Sequence, residues 1–360
     1  MSEAETAKSE VRKLKESLAD READLKAVIE KVEYILMRLP NLPYDKCPVG
    51  TSEADNPLLR TEQYDESRWQ GRKLLPHWEL ATNAGIFDAK RASKISGNMF
   101  ALLRGRGADL LQAMVRFAID LNRDRYELIL PPHMVSTKTF TATGHLPKFE
   151  QDAYKFRDDD LWAIPTAEVP LMSMHREEIL DPQELPIRYM AYTTCFRREA
   201  GAAGRDTRGM QRLHEFHKVE LLILCSEENV EREFEGLLAD AERPLKLLGV
   251  PYRVVELCTG DLTFASSKMY DIEVYAPAVD RWLEVSSVGI FTDFQARRGN
   301  VRVYTDSGKT TFVHSMNGSA MATPRLWAAL LELFQEDDGS VRIPEVLQKY
   351  TGFDRITPKE

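Results

Sequence analysis

The stretch FRREAGAAGRDTRGMQRLHEF, Phe196 to Phe216, decides how this chain is read. It sets five arginines (Arg197, Arg198, Arg205, Arg208, Arg212) around three glycines (Gly201, Gly204, Gly209), in a chain whose net charge is −9. Strand-like runs flank it, IRYMAYTTCFRRE (187–199) before and RLHEFHKVELLIL (212–224) after. Two such runs joined by a glycine-loosened connection read as an antiparallel hairpin. The tip is then either a solvated loop, where arginines carry no function, or a clamp for a polyanion.

Outward from the hairpin, further strand-like runs recur at MYDIEVYA (269–276), WLEVSSVGIFTDFQ (282–295) and TTFVHSM (310–316). Helical spacing appears at RGADLLQAMVRFAIDLNRD (106–124), which feeds the short strand YELILPP (126–132), halted by Pro131 and Pro132. Two more helices are read, one over 226–249 with Ser226 as its N-cap and one over 319–335 with Leu326, Leu330 and Leu333 on its apolar face. Strand-rich segments with few intervening helices predict an α+β domain with a mostly antiparallel sheet.

The first forty residues differ from the rest. Val11, Leu18, Leu25, Val32 and Leu39 recur every seven residues, with Leu14, Val28 and Ile35 at the second apolar position and only Arg21 breaking the seam. That 3.5-residue stripe predicts one long coiled-coil-like helix over 9–39. Pro40, Pro43 and Pro48 forbid its continuation. The expected organisation is therefore a heptad helix (1–40), a proline-rich linker (41–68) and a globular domain (69–360). No apolar run approaches the length of a membrane span, the charged N-terminus lacks a signal-peptide core, and Cys47, Cys195, Cys225 and Cys258 lie far apart without a CxxC pair. A cytoplasmic protein without disulfides or zinc is expected, and the acidic balance argues against a generally basic nucleic-acid coat.

Phosphate binding must then come from side chains. Neither GxxxxGK[ST] nor a GxGxxG between strand and helix occurs, and the protein-kinase signatures are missing too. Arginine suits the task, because its guanidinium grips phosphate oxygens with paired donors and stays charged. Glu199, Asp206 and Glu215 are interleaved as orienting partners, and Glu284 with Ser287 in LEVSS offers hard oxygen ligands for magnesium. An exposed strand carboxylate is the plain alternative for Glu284. His214 and His217 read as structural rather than catalytic.

These residues carry a resemblance. TTCFRREAGAAGRDTRGMQRLHEFHKVEL (193–221) resembles the second signature motif of class II aminoacyl-tRNA synthetases in its seryl form. SMNGSAMATPRLWAALLE (315–332) is similar to the third motif and YELILPP to the first, while ATGHLPKF, IPTAEVPL, LPIRYMAY and TDFQARR match further seryl-type blocks in the same order, from Pro40 to Phe353. The resemblance implies a class II antiparallel sheet flanked by helices, a homodimer formed through the 108–132 region, and ATP- and Mg2+-dependent activation of serine with transfer to tRNA. By matching positions it implies that Arg197 binds the reacting carboxylate and α-phosphate, and that Glu199 holds the adenine edge. Phe216 and Arg325 would sandwich the base, Arg325 reaching the γ-phosphate, with Arg212 also at ATP. Glu284 and Ser287 would hold the metal. Thr166 and Glu220 would take the serine ammonium, Glu220 and Ser319 the hydroxyl, and Asn317 would complete the serine site.

Two departures from the family pattern are expected to matter. Val288, Gly289 and Ile290 stand where a polar segment usually follows the Glu284 strand, which predicts a more apolar pocket wall. The family carries a two-helix tRNA-gripping arm, of which one heptad helix is read here, hardly basic with eight Lys/Arg against nine Asp/Glu in residues 1–40. That helix is expected to pair with a second chain or with its own catalytic domain, leaving adenylation intact and tRNA charging weak. The alternatives are a paralogue passing serine to a carrier protein or small molecule, and, last, a non-catalytic binding platform.

Overall fold

The computed structural model describes residues 3–200 and 208–359. Gly201, Gly204, Arg205 and Asp206 of the arginine–glycine stretch lie outside the described residues. The chain divides into two units, Met1–Pro40 and Asn41–Glu360. The first is a single helix, α1 (Glu3–Leu36), longer at its start than the heptads alone suggest. Its seam residues are exposed, Leu14 by 69% and Leu25 by 59%. No described helix is long and apolar enough to cross a membrane.

The second unit is organised by an eight-stranded sheet. In chain order its strands are β1 (Leu58–Glu62), β2 (Glu127–Ile129), β3 (Ile187–Phe196), β4 (Glu215–Cys225), β5 (Tyr252–Glu256), β6 (Lys268–Ala276), β7 (Arg281–Thr292) and β8 (His314–Ala322). Their spatial order is β1-β5-β6-β7-β8-β4-β3-β2. Every pairing is antiparallel except β2 with β3, which is parallel. The hairpin read from sequence is β3–β4, in register from Ile187–Leu224 to Phe196–Glu215.

Alternation along β4 separates two environments. Val219, Leu221 and Ile223 enter the larger core, whereas Leu222 and Leu224 pack on the opposite face with Ala167, Leu171 and Ala296. The larger core is covered by α2 (Arg106–Asn122), α4 (Val230–Leu248) and α5 (Thr323–Leu333); α3 (Glu168–Ser173) lies on the other face. In α4, Phe234, Leu237, Leu238, Ala241, Leu245 and Leu248 form the buried stripe that 3.6-residue periodicity requires. Gly249 ends it in the left-handed conformation at φ 68°.

Three expectations are corrected. Residues 41–68 are part of the second unit rather than a linker. The Asn41 side chain donates to the Ala265 and Phe291 carbonyls, and β1 pairs with β5, so prolines that stop a helix here lead into packed extended chain. The helix read over 319–335 starts only at Thr323, because Ser319 to Ala322 belong to β8 and pair with β4. Val288 and Ile290 do not form a pocket wall. Both are fully buried in the helix-covered core with Leu221, Ile223 and Met316.

Candidate active site

The site grows on the face of the sheet that Leu222 and Leu224 share. Period-two alternation puts Lys218 and Glu220 on that face of β4, and β8 brings Ser315, Asn317 and Ser319 beside them, Ser319 pairing directly with Glu220. A register shift between Ser319 and Met321 interrupts the regular ladder there, a device that re-aims side chains. Ser286 on β7 donates its hydroxyl to the Ser319 carbonyl at 2.7 Å and fixes the bulge.

One carboxylate oxygen is the focus. Glu220 Oε2 accepts from Thr166 Oγ1 at 3.2 Å and from Ser319 Oγ at 3.4 Å, and Lys218 forms an ion pair with the same oxygen. Lys218 Nζ also donates to Thr166 Oγ1 at 2.9 Å. Asn317 is buried close to the Glu168 carboxyl, and its Nδ2 has no hydrogen-bond partner of good geometry among the described residues. Glu168, the first residue of α3, is buried nearby, and burial together with the Glu220 charge pushes its carboxyl up to about 7. Gln295 holds it by donating from Nε2 to the Glu168 carboxylate while its own Oε1 accepts from Ser315 Oγ at 2.8 Å. His145 is kept neutral, its pKa lowered to about 3 by burial and by the Arg197 and Lys218 charges.

A second group of residues surrounds the end of the hairpin. Arg197, just past β3, lies with its guanidinium 5.2 Å from the centre of the Phe216 ring. Glu199 takes a left-handed backbone, φ 52°, and accepts from Arg212 Nη1 at 2.6 Å, while Arg212 Nε is buried with no partner among the described residues. Arg325 is the one residue of α5 outside the core. Its Nε donates to the Gln211 carbonyl at 3.0 Å and its Nη1 to the Glu284 carbonyl at 2.8 Å, with Glu284 Oε2 at 3.3 Å. The start of α5 is tied to the hairpin by Thr323 Oγ1, which donates to the His217 carbonyl at 2.9 Å. His214 and His217 are occupied structurally, His214 with the Arg197 carbonyl and His217 with Tyr192.

The third group is acidic. Ser287 donates to Glu284 at 3.2 Å across a register shift of β7, and Asp271 of β6 is the cross-strand partner of Ser287. Asp271 Oδ1 is buried and has no hydrogen-bond partner among the described residues. Burial and the Glu284 charge hold the Asp271 carboxyl well above its usual range; desolvation acts on Glu284 the same way, but Arg325 and Arg197 hold it below. Two close carboxylates, a hydroxyl and an orphaned oxygen fit a hard divalent cation, which takes oxygen ligands and restores charge to both acids.

The structure thus brings Thr166, Glu220, Asn317 and Ser319 into one pocket and gathers Arg197, Glu199, Arg212, Phe216, Arg325, Glu284 and Ser287 beside it. Sequence reasoning missed Lys218, Glu168, Gln295 and Asp271. The signals were there in part: Glu168 and Gln295 lie in the blocks IPTAEVPL and TDFQARR, and Asp271 is a carboxylate inside an apolar strand.

Sheet, motif order and site define a class II aminoacyl-tRNA synthetase core, and the model of the tRNA synthetase class II core domain (G, H, P, S and T) matches residues 149–334. The chain is 47% identical over 346 residues to a serine–tRNA ligase of Bacillus cereus, covering 95% of this chain and 81% of that protein. It is 50% identical over 326 residues to that of Caldicellulosiruptor saccharolyticus, covering 90% and 77%. It superposes on the crystal structure of seryl-tRNA synthetase from Pyrococcus horikoshii complexed with ATP with a TM-score of 0.93 and 38% identity, covering 98% and 83% of the two chains. The chain belongs to the seryl-tRNA synthetase family.

Proposed function

We propose that this protein activates serine with ATP and transfers the seryl group to tRNA. The observation that carries the reading is the convergence of Thr166, Ser319 and Lys218 on Glu220, beside an arginine, Arg197, that caps an aromatic ring. A buried carboxylate with hydroxyl neighbours suits a small amino acid bearing an ammonium and a hydroxyl. Glu220 and Thr166 receive the serine ammonium, Glu220 and Ser319 its hydroxyl, and the unpaired Asn317 amide completes the pocket. Alanine leaves the hydroxyl partners unpaired and binds poorly.

Arg197 bridges the serine carboxylate and the α-phosphate, drawing the two reacting groups together while neutralising both. Phe216 and Arg325 hold the adenine between them, Glu199 reads its edge, and Arg212 supplies an unpaired donor for ATP. The reaction is an in-line attack of carboxylate oxygen on phosphorus with pyrophosphate leaving, so positioning and charge neutralisation do the catalysis and no general base is needed. Glu284 and Ser287, with Asp271 adjacent, would hold magnesium, which would supply further neutralisation of phosphate charge.

The names of the relatives, shared over most of their length, support tRNA as the acceptor over a carrier protein or small molecule. A homodimer is supported by the β2 edge, where Leu128 and Leu130 are exposed by 39% and 78%. The apolar side of α2 is consumed in its own core, so the strand edge is the surface offered. Acylation of serine tRNA by the purified chain tests the proposal: serine-dependent charging supports it, and pyrophosphate exchange without charging would transfer the case to another acceptor.

A further inference from the structure

Lys218 has no role in the account so far, although it sits at its centre. It is 7% exposed, and lysine is almost never buried without a partner. Its ammonium lies between Thr166 Oγ1, at 2.9 Å, and Glu220 Oε2. Those are the two groups assigned above to the ammonium of serine. The side-chain contacts of Glu220 converge on Oε2, so the lysine shares that oxygen with two hydroxyls rather than enclosing the carboxylate.

We propose that Lys218 is a positioning residue that sets the charge of the amino-acid pocket, keeping Glu220 ionised and aimed before serine arrives. The inference rests on the reading that this pocket takes serine. The charged and titratable neighbours are few: Glu168 from α3, Glu220 on the same strand, Arg197 and Cys195 at the end of β3, and His145. Glu168 and Glu220 are both buried and near enough for the Glu220 charge to push the Glu168 carboxyl up, and like charges so placed resist ionising together unless a cation offsets one of them. His145 is neutral, and Arg197 is reserved for the substrate carboxylate and phosphate. Lys218 is the cation left for the two acids. Serine, a zwitterion, then meets an ionised Glu220, held by Lys218 and two hydroxyls, to answer its ammonium. Without Lys218 the acid pair retains a proton to higher pH, and the serine ammonium meets a neutral acid.

The test compares wild type, Lys218→Met, Lys218→Gln and Lys218→Arg in serine-dependent ATP–pyrophosphate exchange from about pH 6 to about pH 9, with serine KM, ATP KM and kcat separated at each pH. Lys218→Gln, one atom shorter, keeps a hydrogen-bond donor without the charge, and carries the test if Lys218→Met does not fold. Both neutral variants are expected to raise serine KM about tenfold or more at neutral pH, with ATP KM changed by less than about threefold. The inflection of their serine kcat/KM moves up by about one pH unit, so that binding recovers toward alkaline pH, while Lys218→Arg returns it toward wild type. A role in folding alone would lower kcat at every pH and leave the inflection where it was. That result, or an unchanged serine KM in an enzyme that exchanges normally, overturns the assignment of Lys218. A wild-type chain without serine-dependent exchange overturns the underlying reading instead, and this assignment with it.

Discussion

Replacing Glu220 by glutamine changes one oxygen for an amide and leaves the volume of the pocket intact. The carboxylate it removes accepts from Thr166 at 3.2 Å and Ser319 at 3.4 Å and pairs with Lys218. Glutamine retains a carbonyl for the serine hydroxyl but no charge for the ammonium. A hydrogen bond to a charged group contributes about 1.5–3 kcal/mol, so the serine kcat/KM should fall about 10- to 150-fold. The effect should reside in serine KM. ATP KM should stay within about threefold, since the residues assigned to ATP lie beyond the pocket and none hydrogen-bonds Glu220. Lys218 loses its ionic partner at the same time, and breaking a buried pair costs roughly 3–5 kcal/mol, less here because the amide oxygen still accepts. A lower melting temperature should therefore accompany the kinetic loss. Steady-state exchange kinetics with serine and ATP varied in turn, alongside a thermal melt, give both numbers. A serine kcat/KM within about threefold of wild type, or equal losses for serine and ATP, would refute the role given to Glu220.

Arg197→Ala should lower adenylate formation by about 2.7–4 kcal/mol, or 100- to 1,000-fold, as measured by single-turnover formation of serine adenylate; a loss below about tenfold contradicts its bridging role. Glu284→Gln and Asp271→Asn should each weaken Mn2+ binding, read by electron paramagnetic resonance in the presence of a non-hydrolysable ATP analogue, and unchanged titrations would sink the metal assignment. Glu168 predicts a pH dependence of stability. Its folded pKa of about 7 lies above the ordinary carboxylate value, so between the two the folded state holds the extra proton and stability falls as pH rises through that window. Wild type should accordingly lose up to roughly 3 kcal/mol relative to Glu168→Gln between about pH 4.5 and about pH 8, checked by paired denaturant melts. Parallel curves would contradict a raised Glu168 pKa in the folded state.

Much of the architecture was legible because it depends on local pattern. The β3–β4 hairpin announces itself through two apolar strands with a glycine-rich break, and α4 through a buried stripe that ends at Gly249. Where sequence failed, the deciding contacts were distant. Ser319–Ala322 has helical company in the chain but pairs with β4, and Asn41 makes its bonds to residues more than two hundred positions away. The wall assigned to Val288 and Ile290 was misread because one-residue alternation on β7 turns them to the far side of the sheet. In the site, matching positions picked out the residues assigned to substrate and overlooked those that act on them. Lys218 and Gln295 are visible only once the fold brings them against Glu220 and Glu168.

ATP–pyrophosphate exchange, run on the purified chain without tRNA and with each of the common amino acids in turn, tests serine activation most directly. Serine should support exchange far above background, with alanine and glycine lower by about two orders of magnitude or more because they leave buried polar groups unpaired. Exchange that is no higher with serine than with alanine, or that is missing altogether from folded protein, would contradict the account.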